Sequence, residues 1–151
     1  MSDHASARHK DSMNRETALS NTVVTALREW AKTAPCKLLI VFGSSARQQT
    51  HPRSDVDIGV MFDELPPPER RLSMIGEIQD RCGRARADVV FLRSATDPVL
   101  RFEIFRSGIP IHEESPGLFL AETVRALALY EDALPFRRLL SRRLSGAAQT
   151  P

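Results

Sequence analysis

The hexapeptide Asp55-Val56-Asp57-Ile58-Gly59-Val60 constrains the fold more than any other stretch of the chain, because two kinds of side chain alternate strictly along it. In a β-strand successive side chains point to opposite faces, so Asp55, Asp57 and Gly59 share one face while Val56, Ile58 and Val60 share the other. The aliphatic face has to be covered by a core. The other face sets two carboxylates side by side, where they repel unless they are protonated, solvated or bridged by a hard divalent cation that takes oxygen ligands. Mg2+ is the cation this chemistry suggests.

Upstream, residues 37–42 (Lys-Leu-Leu-Ile-Val-Phe) have the length and β-branched content of a buried strand, and Gly43 and Ser44 follow at once. A glycine there lets the backbone come close to a ligand. Ser44 or Ser45 can cap a short helix running to about residue 48, whose exposed N–H groups favour an anion such as a triphosphate.

Gly43-Ser44, ten residues, then Asp55-x-Asp57 resembles the signature of the polymerase-β-like nucleotidyltransferases. From average residue usage, these four residues at this spacing arise by chance in roughly one chain in several hundred of this length. The size and flanks, over residues 38–113, look most like the minimal nucleotidyltransferases paired with HEPN-domain toxins. The resemblance implies an α/β (α+β) fold, a small mixed β-sheet flanked by helices with a C-terminal helical segment. It implies that Gly43, Ser44, Ser45 and Arg47 bind the nucleotide and that Asp55 and Asp57 hold Mg2+ in a two-ion site. A third carboxylate on a later strand, here Asp88 within residues 87–92, would complete the site as second-ion ligand and general base. The chain departs from the pattern at Gln48, where a glycine usually follows the Ala-Arg pair.

The activity so implied is transfer of AMP from ATP to a tyrosine hydroxyl of a cognate HEPN ribonuclease toxin, which makes the chain an antitoxin. Two alternatives compete with it. One is transfer to a small-molecule hydroxyl, as in the aminoglycoside nucleotidyltransferases, which typically add a helical domain for which this chain has little length. The other is an antitoxin that neutralises its partner by binding alone.

With 151 residues, 42% of them hydrophobic, the chain reads as one globular domain. Residues 1–13 are expected to form a disordered tail, 14–113 the nucleotidyltransferase domain and 114–151 a helical extension of it. No run approaches the ~18 apolar residues of a membrane span, and the polar start lacks an apolar h-region, so a cytoplasmic protein without membrane contacts is expected. A net charge of +2 does not suggest nucleic acid as a direct partner. Cys36 and Cys82 have no metal-ligand spacing to other residues and read as buried thiols.

Taken in order, a helix is expected from residue 14 or 21 to 32, with Leu19, Val23, Leu27 and Trp30 on its inward stripe and Trp30 as a core anchor. Pro35 stops it, and strands follow near residues 36–42 and 55–62. A helix over 68–82 should face inward with Leu72, Ile75 and Ile78 and end at Gly83. Arg81, Arg84 and Arg86 gather before the third strand, either to neutralise pyrophosphate or as a solvated loop. Asp97-Pro98 opens a helix through Leu100, Ile104 and Phe105 that Gly108 closes, and residues 109–111 form an edge strand because Pro110 cannot donate to a ladder. A last helical region, 117–144, should break or kink at Pro135 and pack through Leu120, Val124, Leu127 and Tyr130. Beyond it Arg137, Arg138, Arg142 and Arg143 interrupt an apolar pattern, as a solvated face or as a dock for an acidic partner. The two Asp-bearing strands should be neighbours, so that Asp55, Asp57 and Asp88 converge.

Overall fold

The computed structural model describes residues 19–46 and 55–147. The tail at 1–13, the earlier helix start at 14, Arg47, Gln48 and the chain end after 147 lie outside the described residues. Helix α1 (Asn21–Thr33) opens where Ser20 Oγ accepts from the Val23 N–H at 3.4 Å, and it closes before Pro35 with the Ala34 N–H donating to Trp30 O. There follow β1 (Leu38–Phe42), α2 (Gly43–Ala46), β2 (Val56–Met61), α3 (Pro68–Cys82), β3 (Ala87–Leu92), α4 (Pro98–Ser107), β4 (Ile109–Glu113) and α5 (Leu118–Ala147). The strands form one mixed sheet in the order β3-β2-β1-β4. β1 runs antiparallel to β2 and β4, whereas β2 and β3 are parallel. A parallel pair needs a long crossover, and α3 supplies it.

Both faces of the sheet are covered, which is why β1 is apolar at every position. On one face Leu39, Val41, Val56, Ile58 and Val60 pack with Leu27 and Trp30 of α1 and Met74, Ile78 and Cys82 of α3. On the other, Leu38, Ile40 and Leu92 pack with Ile104 and Phe105 of α4 and Ala126 of α5. Trp30 is the expected anchor, 2% exposed, and its indole N–H donates to Glu77 Oε2 at 2.7 Å. The indole, with Arg70 and Ser73, holds the Glu77 carboxyl down to about 2. This link between α1 and α3 is therefore in place above the ordinary carboxylate range and is lost only as pH falls toward about 2. Cys36 and Cys82 are buried thiols, and desolvation pushes Cys36 up to about 12.

Asp97 caps α4 as expected, with Oδ1 accepting from the Val99 and Leu100 N–H groups. β4 is an edge strand, and Pro110 sits opposite Ile40 where the β1–β4 register shifts. Gly108 joins α4 to β4 so closely that a Cβ there would strike Ile104 O and Ile40.

Two helical stripes differ from expectation. In α3 the inward residues are Met74, Ile78 and Cys82, while Leu72 is 72% exposed. Six residues before Ile78, Leu72 lies about 120° round the helix from it. In α5, Leu120, Val124 and Leu127 face outward, and Phe119, Glu122, Ala126 and Tyr130 turn toward α4. The rotation has a cause on α4. Arg101 is buried there, and α5 meets it with Glu122, whose Oε2 accepts from Arg101 Nη2 at 2.6 Å. Phe105 against Phe119 (5.6 Å) and Phe102 against Tyr130 (4.4 Å) fix the same register, so only Tyr130 of the expected stripe packs inward. α5 also runs through Pro135 without a break, although a proline inside a helix removes one N–H···O bond. Among the described residues no helix is long and apolar enough to cross a membrane.

Candidate active site

The strand register determines what meets where β1 ends and β2 and β3 begin. Asp57, on the second residue of β2, is paired across to Phe42 on one side and to Asp88 of β3 on the other. Hydrogen-bonded strands lie about 4.8 Å apart, so the two carboxyl-bearing residues are immediate neighbours. Val56 and Ile58 fill the core with α1 and α3, so alternation turns Asp57 to the opposite face, the one that α4 and α5 cover further along. Asp57 is half-buried. Asp88 and Asp55 are exposed, and Asp55 lies one residue ahead of β2.

Burial is the main cause that raises the Asp57 carboxyl above its usual range, followed by the negative fields of Asp88 and then Asp55. Asp57 thus senses both other acids. Yet among the described residues no three acidic, histidine or cysteine side chains stand close enough to form a ready-made metal cage. The expected convergence therefore takes the form of a close pair, Asp57 with Asp88, with Asp55 beside it at the head of the strand. Hard carboxylate oxygens that repel one another on a partly desolvated face fit a divalent cation, which would relieve the repulsion.

Gly43 meets the same carboxylate from β1. Its φ of +66° lies in the left-handed region, and a Cβ on it would land on Asp57 Oδ2 and within 3.1 Å of Asp57 Cγ. The glycine at the strand end is thus required twice, by backbone conformation and by the acid pressed against it. α2 begins at Gly43 itself and touches β2 and α4, with Ser44 half-buried and Ser45 next to it in the helix. Of the three arginines before β3, Arg81 bends back to donate to Glu77 O at 2.6 Å, while Arg84 and Arg86 are exposed where β3 starts. The Arg101–Glu122 pair behind this face is a feature that periodicity does not reveal; its only signals are one arginine and one glutamate on otherwise apolar helix faces.

A mixed sheet with a glycine turn at the end of its first strand, an acid pair beside it and helices on both faces is the architecture of a nucleotidyltransferase domain. The chain belongs to the family described as Polymerase beta, Nucleotidyltransferase, whose sequence model matches residues 27–117. No curated protein matches the sequence significantly. Among solved structures the fold is similar to a chain of a toxin–antitoxin complex with AMP-PNP, at TM-score 0.71 and 18% identity over 81% of this chain and 98% of that one. It is also similar to a chain of the MntA–HepT toxin–antitoxin complex (TM-score 0.67, 16% identity, 83% and 99% covered). A third likeness is to a chain of the complex of tri-AMPylated Shewanella oneidensis HEPN toxin with MNT antitoxin (TM-score 0.62, 18% identity, 91% and 98% covered).

Proposed function

We propose that this protein transfers AMP from ATP to a tyrosine hydroxyl of a cognate HEPN ribonuclease toxin and so acts as its antitoxin. The observation that carries the reading is the placement of Asp57 opposite Asp88, with Gly43 packed against Asp57. Membership of a nucleotidyltransferase family and the similarity to toxin–antitoxin chains, one complex holding AMP-PNP and another an AMPylated toxin, support the same reading.

In this proposal Asp55 and Asp57 hold Mg2+, with Asp88 as further ligand in a two-ion site. Mg2+ keeps several waters and is usually held by one or two carboxylates plus substrate phosphates, which agrees with an acid pair rather than a closed cage. When bound, the ion supplies positive charge to the triphosphate and lowers the pKa of the attacking hydroxyl. Gly43, Ser44, Ser45 and Arg47 position the phosphates. Asp88 takes the proton from the tyrosine hydroxyl. The tyrosine oxygen forms its bond to the α-phosphorus in line with the breaking bond to the β-phosphate, and pyrophosphate leaves. Two exposed carboxylates, Asp55 and Asp88, beside the half-buried Asp57 suit a macromolecular acceptor better than an enclosed small one.

Mass spectrometry of the co-expressed acceptor protein tests this. Adenylate masses are expected on a tyrosine-containing peptide, and none with the Asp55→Ala, Asp57→Ala double variant, which also fails to relieve toxicity. Protection by the double variant equal to wild type would establish neutralisation by binding alone. Labelling of a small hydroxylated compound and of no protein would establish the aminoglycoside-type activity.

Gly43→Ala probes the turn separately. A non-glycine residue at positive φ costs roughly 1–2 kcal/mol, and the new methyl group must displace the Asp57 carboxylate. Transfer is expected to fall about 100-fold or more, since misplacement by about 1 Å has that effect, while thermal unfolding still shows a cooperative fold. Wild-type turnover in this variant would mean that Asp57 does not act from its position against Gly43.

A further inference from the structure

Beyond Tyr130 the C-terminal helix leaves the body of the protein. Every residue from 135 to 144 is exposed, including Phe136 (65%), Leu139 (51%), Leu140 (43%) and Leu144 (71%). At 3.6 residues per turn Phe136, Leu140 and Leu144 lie on the same side of α5 as Glu122 and Ala126, the side that packs on α4 nearer the start of the helix. The inward face of the helix therefore continues for more than two further turns with nothing beneath it. An apolar run of this kind marks a contact surface.

Its charge specifies the occupant. Residues 133–147 carry Arg137, Arg138, Arg142 and Arg143 and no acid. A second copy of the arm would set these arginines against their like, which disfavours self-pairing. A membrane surface requires an apolar side free of charge, and here Arg143 falls between Leu139 and Phe136 round the axis, with Arg137 beside Leu144. A protein surface that offers carboxylates among apolar residues can satisfy both patterns, since arginine pairs bidentately with carboxylates and its stem packs on apolar groups. Arg137 already lies 5.9 Å from the centre of the Tyr130 ring, and among the described residues the other three arginines have no such restraint.

We infer that the distal half of α5 is a docking arm for a protein surface that offers carboxylates among apolar residues, and that this surface belongs to the acceptor of nucleotidyl transfer. The identity of the occupant as the acceptor rests on the function proposed above. Its placement agrees with that role, because the proximal half of α5 packs on the sheet face to which Asp57 and Asp88 turn.

The test measures association without ATP, so that docking is read apart from chemistry. Full-length protein is titrated with the co-expressed acceptor and, independently, with two designed amphipathic helices, one bearing Glu and one bearing Lys beside its leucines. The Arg137→Glu, Arg138→Glu, Arg142→Glu, Arg143→Glu variant is expected to bind the acceptor at least about 30-fold more weakly and to exchange preference from the Glu helix to the Lys helix. Leu140→Ala with Leu144→Ala should weaken binding about tenfold without that exchange. Affinities within twofold of wild type in both variants would overturn the proposal, as would arm-dependent binding to phosphatidylserine vesicles with none to the Glu helix, or a dimer that the leucine variant dissolves. Arm-dependent binding of a protein that is never labelled would sink the proposed transfer and leave the arm standing. Labelling with unchanged KM in the charge variant would do the reverse.

Discussion

Asp57→Asn is expected to abolish nucleotidyl transfer, by at least about 1,000-fold, and at the same time to make the metal-free protein more stable at neutral pH. The first effect follows from position and from the proposed function: Asp57 is the acid wedged between Gly43 and Asp88, and removing one preorganised charge-stabilising group from an active site costs about 100- to 1,000-fold before the loss of the proposed metal ligand is added. The second follows from electrostatics. Burial, Asp88 and Asp55 raise the Asp57 carboxyl in the folded protein, so its ionised form is penalised by folding. A raised carboxyl lets the folded state hold its proton to higher pH, so stability falls as pH rises from the ordinary value of 3.8 through the raised one. Asparagine keeps the shape and removes the charge. Its stabilising effect is therefore present at neutral pH and disappears below about 3.8, where aspartate is protonated in both states. Thermal unfolding in chelator at neutral and at acid pH measures this, and adding Mg2+ should stabilise wild type but not the variant. Turnover within tenfold of wild type, or a variant less stable than wild type in chelator, would remove Asp57 from the role assigned to it.

The parts of the protein that the sequence reveals are those where local pattern and tertiary demand coincide. Alternation in residues 55–60 requires one buried face and one acidic face, and the sheet provides both because β2 lies between two partners. Proline and glycine mark the bounds of α3 and α4, since neither residue depends on distant contacts to stop or start a helix. The pairing of Asp57 with Asp88 is foreseen as adjacency of strands, but the register is not, because a parallel pair is set by how α3 packs. The stripe of α5 departs from its periodicity for a stronger reason. Hydrophobic periodicity selects Leu120, Val124 and Leu127, while the structure selects the neighbouring stripe through Arg101, a charged residue on the otherwise apolar face of α4. A buried guanidinium demands a carboxylate more strongly than an aliphatic stripe demands cover. The leucines left outside follow from that choice.

Glu122→Ala should be among the most destabilising single substitutions in the described part of the chain, lowering stability by about 3–5 kcal/mol. Arg101 and Glu122 are 5% and 8% exposed, and their 2.6 Å contact is supplemented by Arg101 Nη1 donating to Arg93 O at 3.1 Å and by Arg125 at 3.2 Å from Glu122 Oε1. Arg101 Nε is buried with no partner among the described residues, so the guanidinium has little to fall back on when the carboxylate is removed. What makes the loss large is the charge left behind in the interface between α4 and α5. Replacing both residues, Arg101→Met with Glu122→Leu, should recover most of the loss, because two apolar side chains of similar volume leave nothing unpaired. For a chain of this size each kcal/mol moves the midpoint of unfolding by about 2–4 °C, so the single variant should melt roughly 6–20 °C lower and the double close to wild type. Urea titration separates the two cases. A single variant within about 1 kcal/mol of wild type would show that solvent reaches Arg101 readily, and a double variant as unstable as the single would show that the pair contributes shape rather than charge. The double variant also tests the choice of stripe on α5. Protection of Leu120, Val124 and Leu127 from solvent labelling in the double variant would show that the ion pair outweighs the Phe105–Phe119 and Phe102–Tyr130 contacts in setting the register, and unchanged exposure would show that those ring contacts suffice.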